Sequence, residues 1–352
     1  MKKTKIICTV ADNRCDVDFI KSLYENGMNV VRINSAHATI EGAGKIVENV
    51  RKVSDRIAIL IDTKGPEVRL TRMNDSVGFV AHTGELVEIL DERGSHLKII
   101  SKIENQQGVD NLDDILTYCY GVMVARGDLG VEIPAERIPL IQKEIVKKCR
   151  DRKKPVIIAT QMLQSMIDNP RPTRAEVTDI ANAIFQSADA IMLSGESAYG
   201  KYPAEAVNTM TRIATETEKT IDVNLELDLR KTQKPVAVVL AKSLVAATLE
   251  LPVKAIIFDT YTGRVGRYLS TFRPKVPIYA MCYNDYTMRE LGLVFGVNTY
   301  PFSKVRDKEE FAARSIEILS SEGIIRKGDL VGFIGGVFGE QVGATYMELK
   351  YI

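Results

Sequence analysis

The stretch GVMVARGDLGVEIP, residues 121–134, decides the fold, because its apolar run ends abruptly on Arg126, Gly127 and Asp128. A short, continuously apolar run is typical of a β-strand that is covered on both faces. Charged side chains directly after such a strand need an explanation, since a buried charge is costly unless it is paired or bound to a metal. Arg-Gly-Asp is also a cell-adhesion tripeptide, so the stretch admits both an extracellular and an enzymatic interpretation.

The composition argues against the extracellular interpretation. The five cysteines are scattered without a Cys-x-x-Cys pair, as expected for reduced thiols in a cytoplasmic protein. The first residues, MKKTKIICTV, lack the apolar core of a signal peptide, and no apolar run is long enough to span a bilayer. With 47 basic and 46 acidic residues the net charge is +1, which predicts no nucleic-acid or membrane partner. We therefore expect a cytoplasmic protein.

Apolar runs alternate with amphipathic segments through the first part of the chain. The runs are KIICTVA, NVVRINSA, IAILIDTKG, SVGFVAHT, LKIISKIEN, GVMVARGDLG, PVIIAT and AIMLSGES. Eight strand–helix units in about 220 residues predict an α/β protein with a (β/α)8 TIM barrel, slightly under the usual size of roughly 250 residues. A doubly wound open sheet is the alternative architecture.

The domain boundaries follow from the end of this alternation. Thr173 and Glu176 form a capping-box pattern, and the helical segment YPAEAVNTMTRIATETEKTI closes the barrel, which we place at residues 1–221. A polar connector covers residues 222–234. Residues 235–352 form a smaller α/β domain with strands predicted at KAIIFDT, VPIYAMC, VNTYPF and LVGFIGG.

Polar residues spaced two apart recur where the predicted strands end. The pairs are Arg32 and Asn34, Lys102 and Glu104, Arg126 and Asp128, and Ser194 and Glu196. In a strand, residues two apart point to the same side, and active sites of such barrels lie at the carboxyl ends of the strands. A single pair is equally well explained by charged residues that meet water at a strand end. Four pairs together indicate one charged cavity.

The two carboxylates Glu104 and Asp128 are the best metal ligands of this set. Hard oxygen ligands without a histidine cluster favour Mg²⁺ or Mn²⁺ over zinc. Lys102 and Arg32 supply the fixed positive charge that phosphoryl chemistry requires. Gly127 allows a close backbone approach, and the amides of GDLG could hold an anion if a short helix begins there.

Long motifs of the chain resemble the pyruvate kinase family. They are VVRINSAHAT, DTKGPEVR, SKIENQQGV, VMVARGDLGVE, ATQMLQSMIDNPRPTRAEVTDIANA and IMLSGESAYGKYPAEAV, and they cover nearly the whole barrel. The last third resembles that family's C-terminal domain more weakly. The resemblance implies phosphoryl transfer from phosphoenolpyruvate to ADP in glycolysis, giving pyruvate and ATP. It also implies an allosteric homotetramer, assembled through the loop around QMLQSMIDNPRPTR and through the C-terminal domain.

The resemblance also implies roles for individual residues. The implied catalytic residues are Lys102, Arg32, Thr160 and Ser194, and the implied substrate-binding residues are Arg32, Lys102, Gly127, Asp128 and Thr160. The implied nucleotide-binding residues are Arg69, His37 and Asn34. The implied Mg²⁺ ligands are Glu104 and Asp128, and the implied K⁺ ligands are Asn34, Asp62 and the carbonyl of Thr63. Thr160 and Ser194 would join a proton relay to the enolate carbon. Glu67 matches members that depend on K⁺.

Two departures from the family pattern are visible. Ala36 stands where the family has a serine, which removes one K⁺ ligand, and Ser35 would point to the other face of a regular strand. The family's lid domain between the third and fourth strands is missing near residues 70–76, where only LTRMND follows KGPEVR. A natural lidless relative, an engineered deletion and a sequence from which these residues have been left out are the alternatives.

Without the lid, the sequence is compatible with more than one function. Lids exclude water and complete a nucleotide site, so we expect turnover to fall more than substrate binding. Two other functions therefore remain: a catalytically impaired relative that binds phosphoenolpyruvate, and a metal-dependent pyruvate or enolate lyase on the same barrel.

A turn in the C-terminal domain is a candidate effector site. Thr260, Thr262, Gly263 and Arg264 lie between a predicted strand and a predicted helix, where a phosphate could bind. The family's sugar-phosphate pocket lies in a similar place. An ordinary helix cap explains the turn equally well, and Glu340 would repel a phosphate.

Overall fold

The computed structural model describes residues 2–63, 97–226, 234–336 and 343–352. Seven parallel strands form its first sheet: β1 (Lys5–Thr9), β2 (Val30–Asn34), β3 (Ala58–Asp62), β4 (Ile100–Ile103), β5 (Gly121–Ala125), β6 (Val156–Ala159) and β7 (Ala190–Leu193). Their order is β3-β2-β1-β7-β6-β5-β4, so β1 pairs with both β2 and β7. A first strand between the second and the last is the neighbour relation of a parallel barrel. The doubly wound alternative is wrong, because it would place β4 beside β1.

The seven strands match seven of the eight predicted runs. The remaining run, SVGFVAHT, and the lid position at residues 70–76 lie outside the described residues. The helices of the first part of the chain are α1 (Val17–Glu25), α2 (Ile40–Val53), α3 (Gln106–Asp110), α4 (Leu112–Tyr118), α5 (Arg126–Glu132), α6 (Ile138–Asp151), α7 (Arg174–Phe185), α8 (Gly195–Ala198) and α9 (Pro203–Thr217). Single 3₁₀ turns cover Ala135–Arg137, Gln164–Ile167 and Glu218–Thr220. The predicted capping box of Thr173 and Glu176 is confirmed at the start of α7.

Each strand divides its side chains between two cores. Ile6 and Cys8 of β1 pack into the cluster that the surrounding helices share, whereas Ile7 packs with Val30 and Met123 inside the barrel. This alternation is the period of two that a strand imposes on its side chains. It explains why the strand sequences are continuously apolar, since both faces are covered.

The second sheet has five strands in the order β10-β9-β8-β11-β12. They are β8 (Val253–Thr260), β9 (Ile278–Cys282), β10 (Val297–Pro301), β11 (Leu330–Gly335) and β12 (Tyr346–Tyr351). Its helices are α10 (Pro235–Glu250), α11 (Arg264–Thr271), α12 (Asp285–Leu291) and α13 (Lys308–Ser321). The four predicted strands are confirmed, and β12, which runs antiparallel to β11, was missed. The boundaries at residues 221 and 235 stay predictions.

The second domain closes the amino-terminal end of the barrel. Leu293 packs into the barrel interior, and the buried Lys5 Nζ donates to the carbonyl oxygen of Val297 at 2.5 Å. Asp189, just before β7, accepts from the backbone amide of Phe295 and pairs with Arg273 at 3.0 Å. The carboxyl ends of the strands are therefore the ends that a site can use.

Two further features agree with the composition. All five cysteines are buried and free, as predicted for reduced thiols. Within the residues that the structure describes, no helix combines the length and the apolarity needed to cross a membrane.

The Asp189–Arg273 pair generates a stability prediction. Its side chains are 9% and 3% exposed, so Asp189→Ala leaves a buried guanidinium without its carboxylate. We expect the free energy of unfolding in urea to fall by about 3–5 kcal/mol. Asp168→Ala is the matched control, because the Lys201–Asp168 pair is exposed, and it should leave the urea midpoint unchanged. Equal midpoints for the two variants would contradict the assigned role of the pair.

Candidate active site

A buried carboxylate joins two cations at the carboxyl ends of β2, β3 and β4. Asp62 Oδ2 accepts from Arg32 Nε at 2.7 Å and lies 2.6 Å from its terminal nitrogen, while Asp62 Oδ1 lies 3.2 Å from Lys102 Nζ. The Asp62 side chain is 4% exposed. Arg32 follows the inward-facing Val30 by two residues, and so it faces the barrel interior by the period of the strand.

Lys102 connects this pair to the predicted metal ligands. Its Nζ lies 2.6 Å from Glu104 Oε1. Burial acts to lower the pKa of Lys102, but the hydrogen bond to Glu104 and the charge of Asp62 outweigh burial and raise it. The raised pKa favours the protonated, positively charged form of Lys102.

The Asp128 carboxyl group lies close enough to Glu104 to perturb its titration. Burial raises the pKa of Glu104, Lys102 opposes this shift, and the nearby Asp128 adds to it. A divalent cation between the two carboxylates would relieve their repulsion, so this oxygen donor set fits Mg²⁺ or Mn²⁺. Among the described residues, no group of three or more His, Cys, Asp or Glu could hold a metal. The remaining ligands would come from water and substrate, as is common for Mg²⁺.

Arg126 does not lie in a strand with Asp128, as the spacing of the pair had predicted. The strand ends at Ala125 and α5 begins at Arg126, so the spacing of Arg126 and Asp128 follows a helix. The Arg126 guanidinium forms two hydrogen bonds to Asp179, at 2.7 and 2.8 Å, and donates to the carbonyl oxygen of Thr160 at 2.6 Å. Arg126 thus connects the end of β6 to α7 through Thr160 and Asp179. Asp179, on α7, gave no local sequence signal of this role.

The structure brings Gly127 and Thr160 together. The Gly127 amide donates to Thr160 Oγ1 at 2.8 Å, and that hydroxyl donates to the Ala159 carbonyl oxygen at 2.7 Å. Thr160 has a φ of 69°, a left-handed conformation that is strained for a β-branched residue. Strain of this kind is concentrated at functional sites, and the short helix that was a condition for anion binding does begin at this point.

Ser194 and Glu196 also lie in a helical turn instead of a strand. Glu196 is 1% exposed, and its two carboxylate oxygens accept from the Leu163 amide at 3.0 Å and the Ser194 amide at 2.8 Å. Glu196 therefore fixes the loops after β6 and β7. Ser194 itself lines a cavity.

This cavity, which we call the Arg32 cavity, has a volume of about 380 Å³. It is lined by Thr9, Val10, Ala11, Asp12, Asn13, Arg32, Asn34, His37, Ala38, Ser194, Gly195, Ala198 and Tyr199. Two of the predicted nucleotide-binding residues, Asn34 and His37, thus share a cavity with Arg32. The third, Arg69, lies outside the described residues.

The predicted K⁺ ligands have protein partners in the structure. Asn34 Oδ1 accepts from the Ala36 amide at 3.1 Å, and both carboxylate oxygens of Asp62 contact cations. Thr63 follows β3 and is exposed. The strand ends at Asn34, so Ser35 is not bound by the strand's alternation, and its hydroxyl donates to the Asp62 carbonyl oxygen at 2.9 Å. The sequence reasoning assigned Asp62 to K⁺ and missed that it positions Arg32 and Lys102.

The C-terminal turn is capped by its own threonine. Thr260 Oγ1 accepts from the amides of Gly263 at 2.8 Å and Thr262 at 3.2 Å, and α11 begins at Arg264. The cavity beside the turn, of about 40 Å³, is also lined by Asp259, whose pKa burial raises to about 6. These bonds agree with the helix-cap interpretation, and effector binding stays a prediction.

The fold and the site together define a class: barrel enzymes that carry charged side chains at the carboxyl ends of the strands. Comparison with known proteins is more specific. The family model described as the pyruvate kinase barrel domain matches residues 1–89 and 77–207, and that of the pyruvate kinase alpha/beta domain matches residues 239–347. The chain belongs to the pyruvate kinase family, a family of phosphotransferases.

Individual relatives extend along the whole chain. A pyruvate kinase of Borreliella burgdorferi is 35% identical over 465 residues, covering 100% of this chain and 98% of the relative. A pyruvate kinase of Bacillus licheniformis is 34% identical over 472 residues, covering 100% of this chain and 80% of the relative. One of Clostridium acetobutylicum is 41% identical over 349 residues, covering 98% and 69%.

The Glu104 environment generates a pH prediction. Because the pKa of Glu104 is raised, this carboxylate takes up its proton at a higher pH than an ordinary glutamate does. We expect Mn²⁺ affinity, measured by titration at successive pH values, to fall about tenfold per pH unit below that pKa. Lys102→Met removes a group that lowers the pKa of Glu104, so it should move this fall to higher pH. A shift to lower pH would contradict the assignment of Glu104.

Proposed function

We propose that this chain transfers the phosphoryl group of phosphoenolpyruvate to ADP in glycolysis, giving pyruvate and ATP. The observation that carries the proposal is the arrangement of Lys102, Glu104 and Arg32 around Asp62, with Asp128 beside Glu104. Membership of the pyruvate kinase family supports it. A pyruvate or enolate lyase would share the metal ligands, but the family comparisons favour the phosphotransferase.

The cations would act on the phosphoryl group. Charge builds on its equatorial oxygens during transfer, and Lys102 and Arg32 supply fixed positive charge that needs no reorganisation. Asp62 keeps both cations in place through buried contacts. Glu104 and Asp128 would hold Mg²⁺ or Mn²⁺, and the ion would supply positive charge that offsets the negative charge of the substrate.

The other predicted residues would bind the carboxylate of the substrate and deliver a proton to its enolate carbon. The amides of Gly127 and Asp128 begin α5, where backbone N–H groups favour a carboxylate. The Thr160 hydroxyl would bind the same carboxylate, and the bonds from Gly127 N–H to Thr160 Oγ1 and from that hydroxyl to the Ala159 carbonyl oxygen would be exchanged for bonds to the substrate. Once the phosphoryl group has left, the enolate carbon takes up a proton, and Thr160 and Ser194 would relay it.

The alignments support a chain without the lid insertion. An alignment of 465 positions that includes all 352 residues of this chain leaves at least 113 positions without a residue of the chain. The barrel model matches in two pieces that meet between residues 77 and 89, close to the expected insertion point. A missing lid favours a second candidate, a relative that binds phosphoenolpyruvate with little turnover. Calorimetry with phosphoenolpyruvate beside a pyruvate-release assay separates the two candidates.

Substitution of Lys102 tests the proposed activity. We expect Lys102→Met to lower kcat for pyruvate release by about 10³-fold or more, because the transferred group loses its fixed cation. Lys98→Met is the control: this exposed lysine precedes the amino-terminal end of the same strand, and its loss should leave kcat unchanged. Unchanged turnover in Lys102→Met would contradict the proposed role.

The monovalent ion can be tested separately. We propose that K⁺ binds near Asn34, Asp62 and Thr63, with Ala36 leaving one ligand position to water. Pyruvate release should rise when K⁺ replaces tetramethylammonium, and Ala36→Ser should lower the K⁺ concentration at half-activation several-fold, because a hydroxyl replaces that water. Identical rates with both cations would show that K⁺ is not required.

The assembly and location follow from family membership alone. We propose a cytoplasmic homotetramer that uses the loop of residues 161–174 and the C-terminal domain. Allosteric control through Thr260, Thr262, Gly263 and Arg264 belongs to the same proposal.

A further inference from the structure

The Arg32 cavity carries opposite charges in two places. Arg32 lies at the carboxyl end of β2 and donates to Thr9 Oγ1 at 3.0 Å. Asp12 lies in the loop after β1, three residues beyond Thr9, and contributes a carboxylate to the same lining. A phosphate is attracted to Arg32 and repelled by Asp12. The charges alone therefore orient a nucleotide with its phosphates towards Arg32.

Asp12 lies against the first turn of α2. A Cβ atom on Gly42 would lie 2.8 Å from Asp12 Oδ2 and 3.2 Å from Thr39 Oγ1, so Gly42 is needed for this close approach. Thr39 caps the helix through the Gly42 amide. The amino-terminal end of a helix favours a carboxylate. Asp12 thus presents a partly exposed carboxylate, a hydrogen-bond acceptor, to the cavity.

The rest of the lining suits a nucleoside. Ala11, Ala38 and Ala198 are small and apolar, and the Tyr199 ring lies over Gly195, where a Cβ atom would meet its hydroxyl group. Tyr199 is 71% exposed, so a face of its ring is accessible for stacking of a flat base. A volume of about 380 Å³ lies within the roughly 300–1,000 Å³ of small-molecule sites.

We propose that Asp12 accepts hydrogen bonds from the ribose hydroxyls of the nucleotide, and that the Arg32 cavity thereby selects ribonucleoside diphosphates over their deoxy analogues. A carboxylate has two acceptor oxygens and pairs with a ribose diol in the same way at dinucleotide sites. This inference rests on the proposed function in taking ADP as the ligand of the cavity. The inference adds Asp12 as the residue that recognises the ribose.

Calorimetry on the full chain with Mg²⁺ tests the role of Asp12. The probes are ADP, 2′-deoxy-ADP and 2′,3′-dideoxy-ADP, and the proteins are the wild type, Asp12→Ala and Glu41→Gln. We expect the wild type to bind ADP at least about tenfold more tightly than the dideoxy analogue, because hydrogen bonds to a charged group are lost. In Asp12→Ala this ratio should fall below about threefold. Glu41, an exposed acid in the first turn of α2, is the control for charge, and Glu41→Gln should keep the wild-type ratio.

The ratio of the affinities for ADP and the dideoxy analogue distinguishes ribose recognition by Asp12 from a purely structural role of Asp12. If Asp12 only supports the α2 turn, Asp12→Ala weakens binding of all three nucleotides equally and the ratio stays at its wild-type value, which would overturn the proposal. A wild type that does not bind ADP, or that does not distinguish the three probes, would also overturn it. Binding is measured without turnover, so a selective but inactive chain would refute the proposed function and leave the role of Asp12 standing.

Discussion

The contacts of Asp62 hold the site together. One buried carboxylate engages Arg32 with one oxygen and Lys102 with the other. Without it, the two cations on β2 and β4 would repel each other across a partly desolvated space. The Asp62 carboxylate, at the end of β3, offsets that repulsion and fixes both side chains before any substrate arrives. Preorganised charge of this kind is what phosphoryl transfer requires from a protein.

The second domain leaves the carboxyl ends of the barrel strands open for the site. The second domain covers the amino-terminal ends of the strands through Leu293, Lys5 and the buried Asp189–Arg273 pair. The carboxyl ends carry the charged residues and the Arg32 cavity. The contacts with the second domain and the candidate site residues therefore lie at opposite ends of the barrel strands, as is usual in this architecture.

Sequence periodicity gave the direction of the polar side chains correctly where strands continue and incorrectly where helices begin. Arg32 and Lys102 lie within strands and face the barrel interior as the period of two requires. Arg126 and Glu196 lie in helical turns that begin directly after strands, and both bind backbone groups of neighbouring loops. Where a strand ends is decided by the packing of the next helix, which local spacing does not reveal.

The sequence by itself determined the barrel, its order of elements and the family, because hydrophobic periodicity and long motifs are local properties of the chain. Only the tertiary structure decided which charges pair. Asp62 and Lys102 are far apart in sequence but 3.2 Å apart in space, and Arg126 pairs with Asp179 on a different helix. Pairing of charges depends on distances between elements, and the packing of the barrel sets those distances.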